Sequence, residues 1–106
     1  MCGITGVLYA DSDRPVELLV LERMTDKLVH RGPDDSGVWA EGSIGLGHRR
    51  LSVIDIAGGH QPMSAEGERL WITYNGEIYN YIELRQELEK RHRQFSTQSD
   101  TEVLLQ

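Results

Sequence analysis

Apolar positions recur along the chain with two different spacings, and these divide it into short strands and three helices. Ile4, Val7 and Leu8 with Tyr9 predict a short buried strand starting almost at the N-terminus. Pro15 suits a first helical position, where a missing N–H costs nothing. From there Val16, Leu19, Val20, Met24 and Leu28 recur at helical spacing, with Glu17, Glu22, Arg23 and Lys27 between them. His30 and Arg31 suit the negative end of that helix, Gly32 suits a left-handed cap, and Pro33 blocks continuation. Gly37 to Ala40, Ser43 to Leu51 and Arg69 to Tyr74 read as strands, with turns at Glu41-Gly42 and Glu66-Gly67 and a loop from Ala57 to Met63. A second helix is expected near Asn80, whose side chain can cap it. Glu83 can reach back, Tyr79 can staple onto Leu84, and Leu84 and Leu88 carry the apolar stripe. Ser99 and Glu102 form a capping box for a third helix, in which Val103, Leu104 and Leu105 open an amphipathic face. The pattern stops barely two turns into that helix, so the chain reads as a truncated domain.

Composition narrows the function classes. At 106 residues the chain is one domain at most, and 39% hydrophobic with 26% charged residues is ordinary for a globular protein. Seventeen acidic against 11 basic side chains leave a net charge of −6, which disfavours a nucleic-acid partner. Val16 to Leu21, interrupted by Glu17, is far too short to span a membrane, and Gly3 to Ala10 lacks the basic leader of a secretory signal. One cysteine permits no internal disulfide, so a reducing, cytoplasmic setting fits best.

That cysteine is Cys2. A lone cysteine is ordinarily a small apolar filler. Its position opens another reading, because a small second residue permits removal of Met1. Thiol and free α-amine then share one residue, and an N-terminal amine can activate its own side-chain nucleophile. Asn75-Gly76-Glu77 also has two readings. Asn-Gly commonly makes a tight turn with positive φ at both positions. A turn at a strand end can also aim the Asn75 amide and the Gly76 N–H at one point, forming an oxyanion hole. Arg49 and Arg50 fall on opposite faces of a strand, so at most one faces a given pocket and the other is expected to be solvated. Arg50 in a pocket would clamp a carboxylate in bidentate fashion. Asp100 either complements a helix N-terminus or pairs with a substrate ammonium. His30, His48, His60 and His92 show no metal-ligand spacing and read as loop or element-end residues, and no phosphate-binding glycine pattern occurs.

Six stretches together resemble the N-terminal glutaminase domain of the glutamine-dependent asparagine synthetases, class II glutamine amidotransferases of the Ntn-hydrolase type. They are Met1-Cys2-Gly3-Ile4, His30-Arg31-Gly32-Pro33-Asp34, His48-Arg49-Arg50-Leu51-Ser52-Val53-Ile54-Asp55, Gln61-Pro62-Met63, Asn75-Gly76-Glu77-Ile78-Tyr79-Asn80 and Ser99-Asp100-Thr101-Glu102. The resemblance implies an α+β fold, the αββα Ntn-hydrolase sandwich, with residues 1–106 forming only its N-terminal part. It implies Cys2 as nucleophile with its own α-amine as base, and Asn75 and Gly76 as the oxyanion hole. Arg50 would hold the α-carboxylate of glutamine, and Glu77 and Asp100 its amino-acid end. Backbone groups around Leu51 and Val53 would line the pocket, and the loop from Arg31 to Asp34 would border the substrate.

The implied reaction releases ammonia, leaves a γ-glutamyl thioester, and then yields glutamate, with no cofactor in the glutaminase half. ATP and Mg would serve only an ATP-pyrophosphatase synthetase domain, absent here, that amidates aspartate to asparagine. Two alternatives stay open: a truncated, non-catalytic or glutamine-binding fragment, and a glutaminase serving a different acceptor. Missing strands would leave exposed edges through which the fold could self-associate.

Overall fold

The computed structural model describes residues 1–52 and 57–106. In chain order the elements are β1 (Gly3–Leu8), α1 (Leu18–Asp26), β2 (Asp35–Glu41), β3 (Ile44–Arg50), β4 (Met63–Ala65), β5 (Leu70–Ile72), α2 (Tyr81–Lys90) and α3 (Asp100–Leu105). This mixture of helices and antiparallel strands is an α+β fold.

β1 and β2 flank β3 in an antiparallel sheet, with Gly3 opposite Arg49 and Gly37 opposite His48. Alternation gives this sheet two distinct faces. Thr5, Val7, Gly45, Gly47 and Val38 share the face on which α1 lies across all three strands. There the Thr5 hydroxyl meets the Thr25 hydroxyl at 2.8 Å, and Thr25 in turn donates to the Leu21 carbonyl at 2.8 Å. The opposite face carries Leu46, His48, Arg50 and Trp39. A second antiparallel pair, β4 with β5, meets that face: the Trp39 and Trp71 rings stack at 4.5 Å, and His48 Nδ1 lies 2.9 Å from Thr73 Oγ1. α3 packs on β4 and β5, and α2 packs on α3. Contacts therefore run from α1 through the three-stranded sheet and the two-stranded sheet to α3 and α2.

Several expectations are corrected. α1 starts at Leu18 rather than Pro15, because the Val16 N–H is bonded to the Gly42 carbonyl at 2.8 Å and Glu17 remains extended. Its buried residues are Leu21 and Thr25, while Leu19, Val20 and Met24 are exposed. The narrow floor of glycines under the helix admits the Leu21–Thr25 edge and not the broader apolar stripe. Gly32 is not left-handed; a Cβ there would collide with the Arg49 carbonyl and the Arg50 nitrogen, so close approach is what demands glycine. β1 is an edge strand with Ile4 and Leu8 exposed, not a buried one. Met63, read as the end of a loop, instead opens β4 with the unassigned Ser64 and Ala65, and β5 is shorter than the strand expected over Arg69 to Tyr74.

At α2, Asn80 makes no side-chain cap, and Tyr79 is 92% exposed and staples nothing. A backbone bond from the Tyr81 N–H to the Ile78 carbonyl already closes that turn. Ser99 does cap α3 through the Thr101 N–H, but Glu102 reaches past it to residues 96 and 97. Gly42, Glu66 and Gly67 take positive φ, as their turns require. Among the described residues no helix is long and apolar enough to cross a membrane.

Candidate active site

Cys2 sits one residue ahead of β1, where the register carries it alongside the end of β3. Its sulfur accepts the Leu51 N–H at 3.3 Å and lies 3.6 Å from the Leu51 carbonyl. Arg31 Nε donates to the Cys2 carbonyl at 3.1 Å, so the loop after α1 closes on this residue from the other side. Asp34 ties the same loop to the β3 end, donating its N–H to the Arg50 carbonyl at 3.0 Å and accepting the Ser52 N–H at 2.8 Å.

Arg50 ends β3 on the face turned toward β5, and it is 6% exposed. The Gly59 backbone lies against its guanidinium, where any Cβ would intrude. Arg49 takes the opposite face, as alternation requires. It is not solvated, however: Nε donates to the Gly32 carbonyl at 2.9 Å and the guanidinium pairs with Asp26 at 3.8 Å. The Gly32 carbonyl and the carboxylate of Asp26, the last residue of α1, hold it in place.

Asn75 and Gly76 follow β5, and neither takes the positive φ of a tight Asn-Gly turn. A Cβ at 76 would stand 2.5 Å from the Tyr74 hydroxyl, so any side chain there would have to push the tyrosine aside. Among the described residues neither the Asn75 side-chain amide nor the Gly76 N–H is bonded to another protein group. Asp100, at the first turn of α3, accepts the Ile78 N–H at 2.9 Å and so anchors the segment that carries both donors.

These segments close around one cavity of about 410 Å³. Cys2, Arg50, Leu51, Asn75, Gly76, Glu77 and Asp100 all line it, together with Met1, Gln61, Tyr74, Tyr79 and Thr101. Cys2 and the 75–76 segment thus border the same space. Val53, the remaining candidate, lies outside the described residues. Sequence reasoning missed Gln61, Tyr74 and Thr101 as cavity residues. Gln61 stood within a recognised stretch, yet nothing local distinguishes a buried glutamine from a loop residue.

Two titratable groups behind the cavity are perturbed. His48, read above as an element-end or loop residue, is instead a core histidine in mid-β3, 1% exposed. Thr73 Oγ1 has one proton, which it donates to the Gly47 carbonyl at 3.2 Å, so it accepts from a protonated His48 Nδ1. Nε2 then carries only a lone pair, with no partner among the described residues. Burial above all, then the nearby Arg50 charge, lowers the His48 pKa to about 4, against the opposing influence of Asp35. Glu102 is buried, which by itself would raise its pKa. Bonds from the Thr97 hydroxyl, the Ser96 and Thr97 N–H groups and the Ser96 hydroxyl outweigh that and hold the carboxyl below its usual range. Among the described residues no group of three potential metal ligands occurs.

A family model described as a glutamine amidotransferase domain matches residues 1–106. The chain is 50% identical over 109 residues to asparagine synthetase [glutamine-hydrolyzing] 1 of Bacillus subtilis (strain 168), covering 99% of itself and 17% of that protein. It is 51% identical over 107 residues to asparagine synthetase [glutamine-hydrolyzing] 3 of the same organism, with the same coverage. To asparagine synthetase [glutamine-hydrolyzing] 1 of Arabidopsis thaliana it is 45% identical over 104 residues, 98% of this chain and 18% of that one. The chain thus spans less than a fifth of the length of these relatives.

Proposed function

Because this chain belongs to the glutamine amidotransferase domain family, we propose that its cavity hydrolyses the side-chain amide of glutamine with Cys2 as nucleophile. One observation carries the reading: residues from four separate segments, Cys2, Arg50, Asn75 to Glu77 and Asp100, line a single cavity.

Loss of Met1 would leave an α-amine on Cys2 and clear a side chain from the cavity. The amine takes the thiol proton as sulfur attacks the glutamine δ-carbon. The tetrahedral oxyanion is met by the Asn75 side-chain amide and the Gly76 N–H, each worth about 3 kcal/mol in the transition state. Collapse returns a proton to the departing nitrogen, releases ammonia and leaves a γ-glutamyl thioester. Water then adds to the thioester, the same two donors hold the second oxyanion, and glutamate leaves as the thiol reforms. At the other end of the substrate, the Arg50 guanidinium receives the α-carboxylate. The Asp100 and Glu77 carboxylates receive the α-ammonium.

The αββα sandwich is part of the same proposal, supported by the sequence of contacts from α1 across two sheets to α3 and α2. In a whole protein built like the relatives, the ammonia would serve ATP-dependent amidation of aspartate to asparagine, with ATP and Mg acting outside these 106 residues. A cytoplasmic setting accords with a nucleophilic thiol that must stay reduced.

The decisive experiment is glutamate release from glutamine by the natural protein, with intact mass recording the state of residue 1. The expected result is an active protein lacking Met1 and a Cys2→Ala variant with no activity above background. Normal hydrolysis by that variant would end the proposal.

A further inference from the structure

Gln61 is the buried side chain on which the two ends of the cavity meet. It is 6% exposed and lies ahead of β4, in neither of the segments it joins. Its Oε1 accepts the Tyr74 N–H at 2.7 Å, and its Nε2 donates to Thr101 Oγ1 at 3.1 Å. The amide orientation is forced, since a backbone N–H can only donate and the oxygen must face it. Tyr74 immediately precedes Asn75, the proposed oxyanion donor. Thr101 immediately follows Asp100, the proposed ammonium partner. One carboxamide therefore spans from the acyl end of the cavity to its amino-acid end. No element ladder does this, because residues 73–80 run as irregular chain between β5 and α2. The direct bond from Ile78 to Asp100 ties the far side of that chain to α3, and Gln61 ties the near side.

The chemistry asks for a neutral amide. An apolar side chain of the same length would leave the Tyr74 N–H without an acceptor. A carboxylate would keep that acceptor, but it would add a third acid to a cavity already lined by Glu77 and Asp100. We propose that Gln61 is a positioning residue for glutamine hydrolysis, fixing the Asn75–Gly76 donors at a set distance from Asp100 so that both ends of one glutamine are held at once. This rests on the glutaminase reading above.

Steady-state glutaminase kinetics of the natural protein test it, comparing wild type with Gln61→Met, Gln61→Glu and Thr101→Val, each with a thermal melt. Gln61→Met releases both ends; kcat is expected to fall roughly 100-fold and KM to rise, as small misplacements of reacting groups do. Thr101→Val releases only the Asp100 end. There KM should rise about tenfold while kcat stays within about threefold. Gln61→Glu keeps the Tyr74 bond, and Thr101 can turn its hydroxyl to donate, so kcat should recover to within about tenfold of wild type. Unchanged KM in Thr101→Val, or a kcat loss in Gln61→Glu as deep as in Gln61→Met, overturns the inference even if Gln61→Met fails to fold. So does a folded Gln61→Met with wild-type kcat. A wild-type protein that does not hydrolyse glutamine overturns the glutaminase reading, and this inference with it.

Discussion

The Asn75 side chain can offer an N–H to the cavity, and its backbone is held from both directions: Tyr74 by Gln61 and Ile78 by Asp100. A donor fixed in this way stabilises a developing oxyanion without reorganising, so its worth appears in the chemical step. Asn75→Ala is expected to lower kcat by roughly 10²–10³ while changing KM far less. A change confined to KM, read by steady-state glutamine hydrolysis, would assign Asn75 to ground-state binding instead. Residue identity was legible here and local geometry was not. Asn-Gly chemistry suggested positive φ, whereas neither residue adopts it and the Tyr74 ring instead crowds position 76. Likewise the Ser99–Glu102 spacing marked a helix start, but the carboxylate bonds Ser96 and Thr97, whose donors the intervening loop folds back within reach.

At the scale of elements, α1 depends on a floor without side chains. A Cβ at Gly47 would run into the hydroxyls of both Thr5 and Thr25 and break the contact that seats the helix on β1 and β3. Gly47→Ala should therefore destabilise by about 1–3 kcal/mol, the usual cost of overpacking. Urea denaturation reads this directly, and a variant as stable as wild type would mean that the helix shifts outward freely. Helical spacing located α1 and α2 to within a few residues, since 3.6-residue periodicity is a local property. It misjudged the buried face of α1 because the partner surface, not the helix, decides which stripe is covered. β4 escaped notice for a different reason: three residues paired with the next strand are too few for an alternation to show.

Across the whole molecule, acid is the expected weakness. His48 is neutral when folded and binds a proton below about 6.5 when unfolded, so protons favour the unfolded chain. Stability is therefore complete above that value and falls as pH drops from 6.5 toward about 4, by about 3 kcal/mol in all. Glu102 adds a loss at lower pH, because its folded pKa is depressed and its stabilisation vanishes as pH falls through that value. Urea midpoints measured across this range should decline in the wild type and flatten above pH 4.5 in His48→Asn, which keeps an N–H for Thr73. Equal slopes in the two proteins would exclude His48 as the cause. Ile4, Leu8 and Ile44 are exposed on one face of the three-stranded sheet. The sequence by itself determined the residue types that can perform the chemistry, their order, and the three helices, because composition, spacing and recognised stretches are properties of the chain as written. Tertiary structure alone decided that Cys2, Arg50, Asn75 and Asp100 share one cavity, that His48 is buried, and that Gln61 joins the cavity's two ends. Contacts between distant segments depend on how sheets and helices pack, and no local pattern encodes that.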